Sequence, residues 1–301
     1  MMALPIIHNP NYDARFEPGH RFPMGKYSRL GQILREEGLL TAETIRIPTP
    51  APAAWLALAH DRAYVDQVVA LTVPPLIEKA IGFPVSERVS VRARSACAGT
   101  IMAARLALEQ GLACNTAGGS HHARRAHGAG FCTFNDVGVA ASLLLADREI
   151  SRALVFDLDV HQGDGTAEIF SANPAVFTVS VHAERNYPTI KVPSDIDVAL
   201  PDGMGDDAYL EVLETLLPRA LADSAPDIVF YNAGVDPHAE DRLGRLALTD
   251  DGLRRRDEAV IGFFRGRGIP LCGVVGGGYS RDVDALAWRH AILFRTAAEL
   301  Y

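Results

Sequence analysis

Residues 157–166 combine three carboxylates and one imidazole in a short stretch rich in glycine. They follow residues 153–156, an apolar run typical of a buried strand in a parallel sheet. A divalent cation would relieve the repulsion between acidic groups held this close, and carboxylate oxygen with imidazole nitrogen suits zinc and its first-row neighbours. The stretch therefore predicts a metal site with Asp159 and His161 as ligands, while Asp157 and Asp164 orient histidines. The alternative is a solvated acidic turn after a strand.

Two adjacent histidines, His121 and His122, follow the predicted strand at residues 112–115 and lie among glycines. Imidazoles titrate near neutral pH, so this pair is suited to proton transfer. The alternative is a polar pair on the surface.

Two further strands end on residues that can do chemistry. Asp236 follows the predicted strand at 228–231, and Tyr279 follows three consecutive glycines after the strand at 271–275. Glycines in a row cost chain entropy, which indicates a backbone that needs unusual dihedral angles or a very close approach.

The elements that must position these residues alternate along the chain, which predicts an α/β domain with a parallel sheet. Ligands in such sheets bind outside the carboxyl ends of the strands, where all the residues above are expected to meet. Strands are predicted at 4–7, 44–47, 112–115, 153–156, 176–182, 228–231 and 271–275, helices at 27–37, 92–110, 135–147, 166–170, 208–222 and 249–264, and a long loop at 195–207. Nothing in the 301 residues resembles a linker, so residues 1–301 are predicted to form one domain.

Composition excludes several classes of function. A net charge of −8 argues against a nucleic-acid-binding surface, although it is compatible with cationic substrates. No stretch approaches 18 apolar residues, so no membrane span is expected. The four cysteines form no C-x-x-C pair, which favours core positions and a reducing, cytoplasmic compartment.

Two other segments have an open interpretation. The predicted loop at 19–27 carries His20, Arg21 and aromatic residues, and it either forms part of a pocket rim or carries these side chains by chance. His60 is isolated from the other motifs and is predicted to be structural.

Together these motifs resemble the histone deacetylase family, which includes acetoin-utilisation proteins and acetylpolyamine amidohydrolases. The resemblance spans most of the chain. The matching pieces are His121-His122 with Gly130-Phe131-Cys132, Asp157-x-Asp159-x-His161-x-Gly163-Asp164-Gly165, Asn232-x-Gly234-x-Asp236 and Gly276-Gly277-Gly278-Tyr279. Residues 19–27 and 194–203 are most similar to the class IV branch and its bacterial relatives.

The resemblance implies an arginase-like three-layer fold, with a mostly parallel sheet of about eight strands between helices. It also implies a catalytic zinc, with iron or cobalt as alternatives, held by Asp159, His161 and Asp236. The implied reaction is metal-assisted hydrolysis of an amide that carries an acetyl or longer acyl group, on a lysine of a protein or peptide or on a small amine.

The resemblance further assigns roles to single residues. His122 would be the general base and His121 its electrostatic support, with Asp164 and Asp157 as their respective partners, and Tyr279 would stabilise the oxyanion. The residues expected to line the substrate tunnel are Gly130, Phe131, Tyr187 and Gly277.

A potassium ion often accompanies the zinc in this family. The matching positions are Asp157, Ser180 and Val181, together with the backbone of the zinc ligands Asp159 and His161. One departure concerns the rim, because many relatives place an aspartate before the long helix where this chain has Ser86-Glu87-Arg88.

Three alternatives remain at the level of sequence. They are an acetylpolyamine amidohydrolase, a binuclear manganese ureohydrolase, and a protein that binds acylated lysine without turnover. The ureohydrolase would need a second set of metal carboxylates, and the binder would not need a complete catalytic set. The sequence leaves the oligomeric state open.

Overall fold

The computed structural model describes residues 3–17 and 19–301, and an eight-stranded sheet lies at its centre. The strands are β1 (Ile6–Ile7), β2 (Ile45–Arg46), β3 (Leu112–Asn115), β4 (Ala153–Asp157), β5 (Val176–Ala183), β6 (Ile196–Leu200), β7 (Ile228–Asn232) and β8 (Leu271–Val274). Their order is β2-β1-β3-β8-β7-β4-β5-β6, and every neighbouring pair is parallel. The predicted α/β class with a sheet of about eight parallel strands is confirmed.

Helices cover both faces of this sheet. They are α1 (Lys26–Glu36), α2 (Ala53–Leu56), α3 (Arg62–Ala70), α4 (Pro75–Ile81), α5 (Glu87–Gln110), α6 (Asp136–Ala146), α7 (Asp164–Phe170), α8 (Asp206–Ser224), α9 (Asp250–Arg265) and α10 (Val283–Glu299). Successive residues of β8 point to opposite layers: the thiol of Cys272 contacts Thr100 in α5, whereas Gly273 faces Leu293 in α10. Since side chains alternate along a strand, α5 and α10 belong to different layers.

The predicted loop at 195–207 is wrong in its first part, because β6 begins at Ile196. Ile196 and Leu200 are buried, while the residues between them are exposed or half-buried. A strand at the edge of a sheet buries little of its surface, so its polar positions resemble those of a loop. The pairing of β6 with β5 stabilises it as a strand.

Several helices differ from the sequence predictions, α5 and α10 among them. The long helix α5 begins at Glu87 rather than at residue 92, because the hydroxyl of Ser86 accepts a hydrogen bond from the backbone N–H of Val89 (3.4 Å) and caps it. Helix α10 occupies a segment for which no element is predicted. Its cap is Asp282, which accepts from Ala285 N at 3.0 Å.

The register of the sheet brings the ends of its central strands level. Asp157 at the end of β4 pairs with Asn232 on β7 and with Ser180 on β5, and Asn232 pairs with Val274 on β8. The residues that follow these strands therefore meet at one edge of the sheet.

Two features of the composition were the four cysteines and the lack of a long apolar stretch. All four cysteines are free and buried, as predicted for core positions. Among the residues described, no helix combines the length and apolar character needed to cross a bilayer.

Candidate active site

The predicted metal ligands meet at the carboxyl edge of the sheet. Asp159 and His161 lie in the loop after β4, and Asp236 lies in the loop after β7. Their ligand atoms lie within 4.8 Å of one another, and all three side chains are buried. Nδ1 of His161 is 3.0 Å from Oδ1 of Asp159 and 3.1 Å from Oδ2 of Asp236.

Backbone N–H groups fix both carboxylates in place. Val160 N donates to Asp236 at 2.9 Å, and His161 N donates to Asp159 at 3.0 Å. The second oxygen of Asp159 accepts from Gly277 N at 2.6 Å, which ties the loop after β8 to this cluster. Three loops therefore position the two carboxylates before any ligand binds.

The buried carboxylates give this cluster a negative electrostatic potential, which favours a bound cation. Burial, with the nearby charge of Asp159, raises the pKa of Asp236 to about 7. Burial opposes protonation of His161, but hydrogen bonds to Asp159 and Asp236 outweigh it and raise its pKa to about 10. Two carboxylates and one imidazole, buried and converging, are a donor set that fits a divalent first-row metal ion.

Each of the two adjacent histidines is bound to its own carboxylate. Nδ1 of His121 donates to Asp157 at 2.6 Å, and Nδ1 of His122 donates to Asp164 at 2.6 Å. The family resemblance implied both pairings. With Nδ1 bound to Asp164, a neutral His122 has Nε2 as its free ring nitrogen.

The two histidines differ in their surroundings. Burial would lower the pKa of His121, but Asp157 and Asp159 raise it to about 9. Burial, followed by the neighbouring charge of His121, lowers the pKa of His122 to about 4 against the opposing effect of Asp164. Burial and the neighbouring charges thus favour a charged His121 beside a neutral His122.

Two further residues hold the carboxylate partners, and the sequence analysis assigned them no role. The amide of Asn232 donates to Asp157 at 2.9 Å, and the guanidinium of Arg124 donates to Asp164 at 2.7 Å. Arg124 lies two residues after His122, so a basic residue next to the histidine pair was the available signal.

Tyr279 lies at the same edge and is 7% exposed. Its ring centroid is 5.9 Å from that of His161, and its backbone N–H donates to Asp241 at 2.7 Å. Burial, together with the charges of Asp159 and Asp236, raises the pKa of the phenol well above its usual range. The hydroxyl is therefore a proton-bearing donor at neutral pH.

A buried lysine supports the glycine turn before Tyr279. Nζ of Lys26, in the first turn of α1, contacts the carbonyl oxygens of Gly276 at 3.4 Å and Gly278 at 3.3 Å. Lys26 is 1% exposed and lies 5.8 Å from the centroid of the Tyr279 ring. Lys26 therefore connects the segment at residues 19–27 to the glycine turn.

A cavity of about 420 Å³, which we call the outer cavity, leads from the surface to this cluster. Its lining includes the predicted tunnel residues Gly130, Phe131 and Tyr187, together with His122 and Tyr279. The ring of Tyr187 stands edge-on to that of His122, with 4.7 Å between centroids. The fourth predicted tunnel residue, Gly277, lines an adjoining inner cavity of about 20 Å³, which shares His122, Gly130, Phe131 and Tyr279 with the first cavity.

The loop at 19–27 does contribute to the pocket. Arg21 lines the outer cavity, and Phe22 and Tyr27 line the inner one. No aspartate or glutamate occurs among the described residues that line the outer cavity. This agrees with the sequence at residues 86–88, which lacks the rim aspartate of many relatives.

His60 is a structural residue, as predicted. Its ring donates through Nδ1 to the carbonyl of Arg124 at 2.8 Å and accepts through Nε2 from Asn135 N at 3.0 Å. It braces the loop that carries the histidine pair.

Comparisons with known proteins agree with this arrangement. A family model described as the histone deacetylase domain matches residues 20–294. An uncharacterized protein of Picosynechococcus sp. is 44% identical over 300 residues, which covers 100% of both chains. Histone deacetylase 2 of Arabidopsis thaliana is 33% identical over 289 residues, covering 92% of this chain and 75% of the plant protein.

A solved structure supports the fold. The crystal structure of the HDA15 HD domain aligns with a TM-score of 0.83 at 21% identity, covering 99% of this chain and 89% of that one. The parallel sheet flanked by helices in this chain is therefore consistent with an arginase/deacetylase-like fold. On the family match and the relatives, this chain belongs to the histone deacetylase family of metal-dependent hydrolases.

Proposed function

We propose that the protein is a zinc-dependent hydrolase that removes a short acyl group from the amide nitrogen of an acylated lysine. The observation that carries this proposal is the convergence of two buried histidine–carboxylate pairs and Tyr279 on the Asp159–His161–Asp236 cluster. Each supplies a function that amide hydrolysis needs.

Asp159, His161 and Asp236 would hold the metal. Three protein ligands suit a catalytic zinc site, and iron(II) or cobalt(II) would suit the same donors. A bound ion of this kind polarises the acyl carbonyl and makes water nucleophilic near neutral pH. The family's potassium ion is a further proposal, supported by the register that pairs Asp157 with Ser180 and by the neighbouring Val181.

His122 is the proposed general base. Its Nδ1–H is bound to Asp164, so Nε2 is free to take a proton from the attacking water and later to pass it to the leaving amine. The C–N bond then breaks, and the products are a carboxylic acid and the free amine. His121, held by Asp157, stabilises the negative charge that develops beside it.

Tyr279 is the proposed donor to the developing oxyanion. Its pKa is raised by burial, so the hydroxyl keeps its proton at neutral pH, and it lies beside the metal cluster. A donor held in place before the reaction needs no reorganisation during it.

The inner cavity argues for a short acyl group. About 20 Å³ is space for roughly one water molecule, and its walls include the buried side chains of Phe22, Arg92 and Cys132. An acetyl methyl group needs little more than this, whereas a long acyl chain needs many times more. We therefore place acetyl above longer groups as the preferred substrate.

The alternatives have less support. Within the described residues, Asp159, His161 and Asp236 form the one cluster of three or more metal-binding side chains, so a binuclear ureohydrolase lacks its second acidic set. A protein that only binds acyl-lysine would not need the complete catalytic set that is present here, so this alternative has less support. The class IV assignment is also a proposal, which rests on residues 19–27 and 194–203.

The test is an assay of purified, metal-analysed protein on one peptide that carries acyl-lysines from acetyl to long-chain. We expect release of the acid and free lysine, fastest for acetyl, with loss of turnover after chelation and its return on adding zinc. No turnover of any acyl-lysine peptide by zinc-loaded protein would refute the proposed function. Faster turnover of long-chain substrates would refute the preference for short acyl groups.

A further inference from the structure

The mouth of the outer cavity carries four cationic side chains. They are Arg21, Lys79, Arg185 and Arg245, and we refer to them as the mouth cations. All four are exposed, in a chain whose net charge is −8. The charge of the mouth is thus opposite to that of the whole molecule.

The mouth cations come from four separate segments. Arg21 lies in the loop before α1, Lys79 in α4, Arg185 in the loop after β5, and Arg245 in the segment between β7 and α9. They therefore surround the opening rather than forming a stripe along one helix. An adjacent cavity that Arg21 also lines carries arginines at 242 and 281 against one carboxylate, Glu17, so it adds net positive charge beside the mouth.

Only part of this charge is neutralised within the protein. Asp202 pairs with Arg245 at 3.1 Å and lies 3.8 Å from Arg185. Among the described residues, Arg21 and Lys79 have no carboxylate within 4 Å, and the guanidinium of Arg21 lies 5.5 Å from the centre of the Phe131 ring. One carboxylate against four cations leaves the mouth positive.

The cavity connects the mouth cations to the chemistry. The same cavity is lined at depth by His122, His161 and Tyr279. When an acylated side chain reaches these residues, the groups on either side of it in the substrate must lie at the mouth. The mouth cations then face the flanking residues of the substrate rather than the acyl group.

We propose that this protein selects acyl-lysines flanked by aspartate and glutamate, and disfavours the basic flanks of histone tails and cationic polyamines. This inference rests on the proposed function and adds the class of substrate to it. Single exposed ion pairs contribute little to binding. A cleft lined by one sign of charge has a larger effect, because its field raises the rate of encounter by roughly 10 to 10³-fold.

The test uses three peptides of equal length around one acetyl-lysine, with acidic, neutral or basic flanks. We expect kcat/KM for the acidic peptide to exceed that for the basic peptide by about tenfold or more at low salt. The ratio should shrink toward unity at about 0.5 M salt, where the Debye length falls to a few ångströms.

Variants identify the residues responsible. The double variant Arg21→Gln, Lys79→Gln should reduce the acidic preference, and Arg21→Glu, Lys79→Glu should reverse it. The control is Arg219→Gln, which removes one positive charge from an exposed position in the part of α8 that leads to the start of β7, at the opposite edge of the sheet. This control should keep the full preference.

The same peptides, fluorescently labelled, are also titrated with the protein to measure binding by anisotropy. Equal turnover of all three peptides, or a preference that survives in the Glu double variant, overturns the role of the mouth cations and leaves the proposed function standing. If no peptide is turned over but the acidic one binds tighter through Arg21 and Lys79, the proposed function fails and the mouth selectivity stands. Equal binding without turnover overturns both.

Discussion

At the scale of residues, the two adjacent active-site histidines differ in their carboxylate partners, because the pKa values of Asp157 and Asp164 are shifted in opposite directions. Burial raises the pKa of Asp157, whose oxygens accept from His121, from Asn232 and from a backbone amide. Burial acts in the same direction on Asp164, but hydrogen bonds from His122 and Arg124 reverse it and lower the pKa. Asp164 therefore stays an anion that orients His122.

The substitution Asp164→Asn tests this orientation. An amide at this position offers no full charge and can turn its N–H₂ group toward His122, which favours the wrong tautomer of the ring. We expect kcat to fall by about 10² or more, with little change in metal content. The measurements are kcat across a range of pH and metal analysis of the purified variant.

Asp66→Asn is the control for this change. Asp66 lies on α3 and pairs with the exposed Arg62, so its loss should leave the rate unaltered. A wild-type rate in Asp164→Asn would remove His122 from the role of an oriented base.

The substitution Tyr279→Phe removes only one hydroxyl at the metal cluster. We expect a loss of about 10²–10³ in kcat, because an oxyanion donor acts in the transition state. Metal content and thermal stability should stay close to those of the unaltered protein. The matched control is Tyr209→Phe, since Tyr209 is also buried and its hydroxyl has no hydrogen-bond partner among the described residues. Equal rates in the two variants would contradict the proposed role of Tyr279.

At the scale of elements, the turn at Gly130 sets the position of His122. Gly130 has φ +53°, and a Cβ at this position would lie 2.5 Å from the ring of His122. The N–H groups of Gly130 and Phe131 donate to the carbonyls of Ala80 and Ile81 at the end of α4. The turn is anchored from behind and cannot move away from an added side chain without breaking these bonds.

Gly130→Ala should therefore reduce activity by about tenfold or more, because displacing a catalytic ring by an ångström can cost roughly 10² in rate. Gly262→Ala is the control, since Gly262 lies in α9 with open space around it and should gain about 0.5–1 kcal/mol in stability. The measurements are kcat/KM on an acetyl-lysine peptide and urea unfolding. A fully active Gly130→Ala variant would show that His122 tolerates displacement.

The elements that carry the site could be predicted because each central strand is a short apolar run followed at once by a polar motif. In β4, for example, all five residues are buried, and the run ends at Asp157. A strand buried on both faces leaves a continuous signal in the sequence. The meeting of Asp159, His161 and Asp236 at one edge follows from the rule that parallel strands end together, whereas the family resemblance implied that they form one ligand set.

Contacts that depend on register or on distant packing could not be predicted. Lys26 reaches the glycine turn before Tyr279 from a helix 250 residues away in the sequence. The mouth cations come from four loops and helices whose arrangement only the tertiary structure determines. The edge strand β6 lacked a signal for a related reason, because its pairing with β5 is a contact of the tertiary structure.

At the scale of the whole molecule, several imidazoles are buried in neutral form and connect folding stability to pH. Burial lowers the pKa of His8 and of His60 to about 4, and that of His290 well below its usual range. In the unfolded chain a histidine has a pKa of about 6.5. As the pH falls below 6.5, the unfolded state therefore binds protons that the folded state does not, and the free energy of unfolding decreases.

His60→Gln isolates one of these contributions. Glutamine can donate to the carbonyl of Arg124 and accept from Asn135 N, as His60 does, but it does not titrate. With a folded pKa of about 4, His60 should account for about 2 kcal/mol of the stability lost between about pH 7.5 and pH 5. Urea unfolding at both pH values should show a smaller loss in His60→Gln than in the unaltered protein. His127→Gln, which changes a half-buried imidazole, is the control, and an equal loss in all three proteins would mean that His60 does not couple protonation to folding.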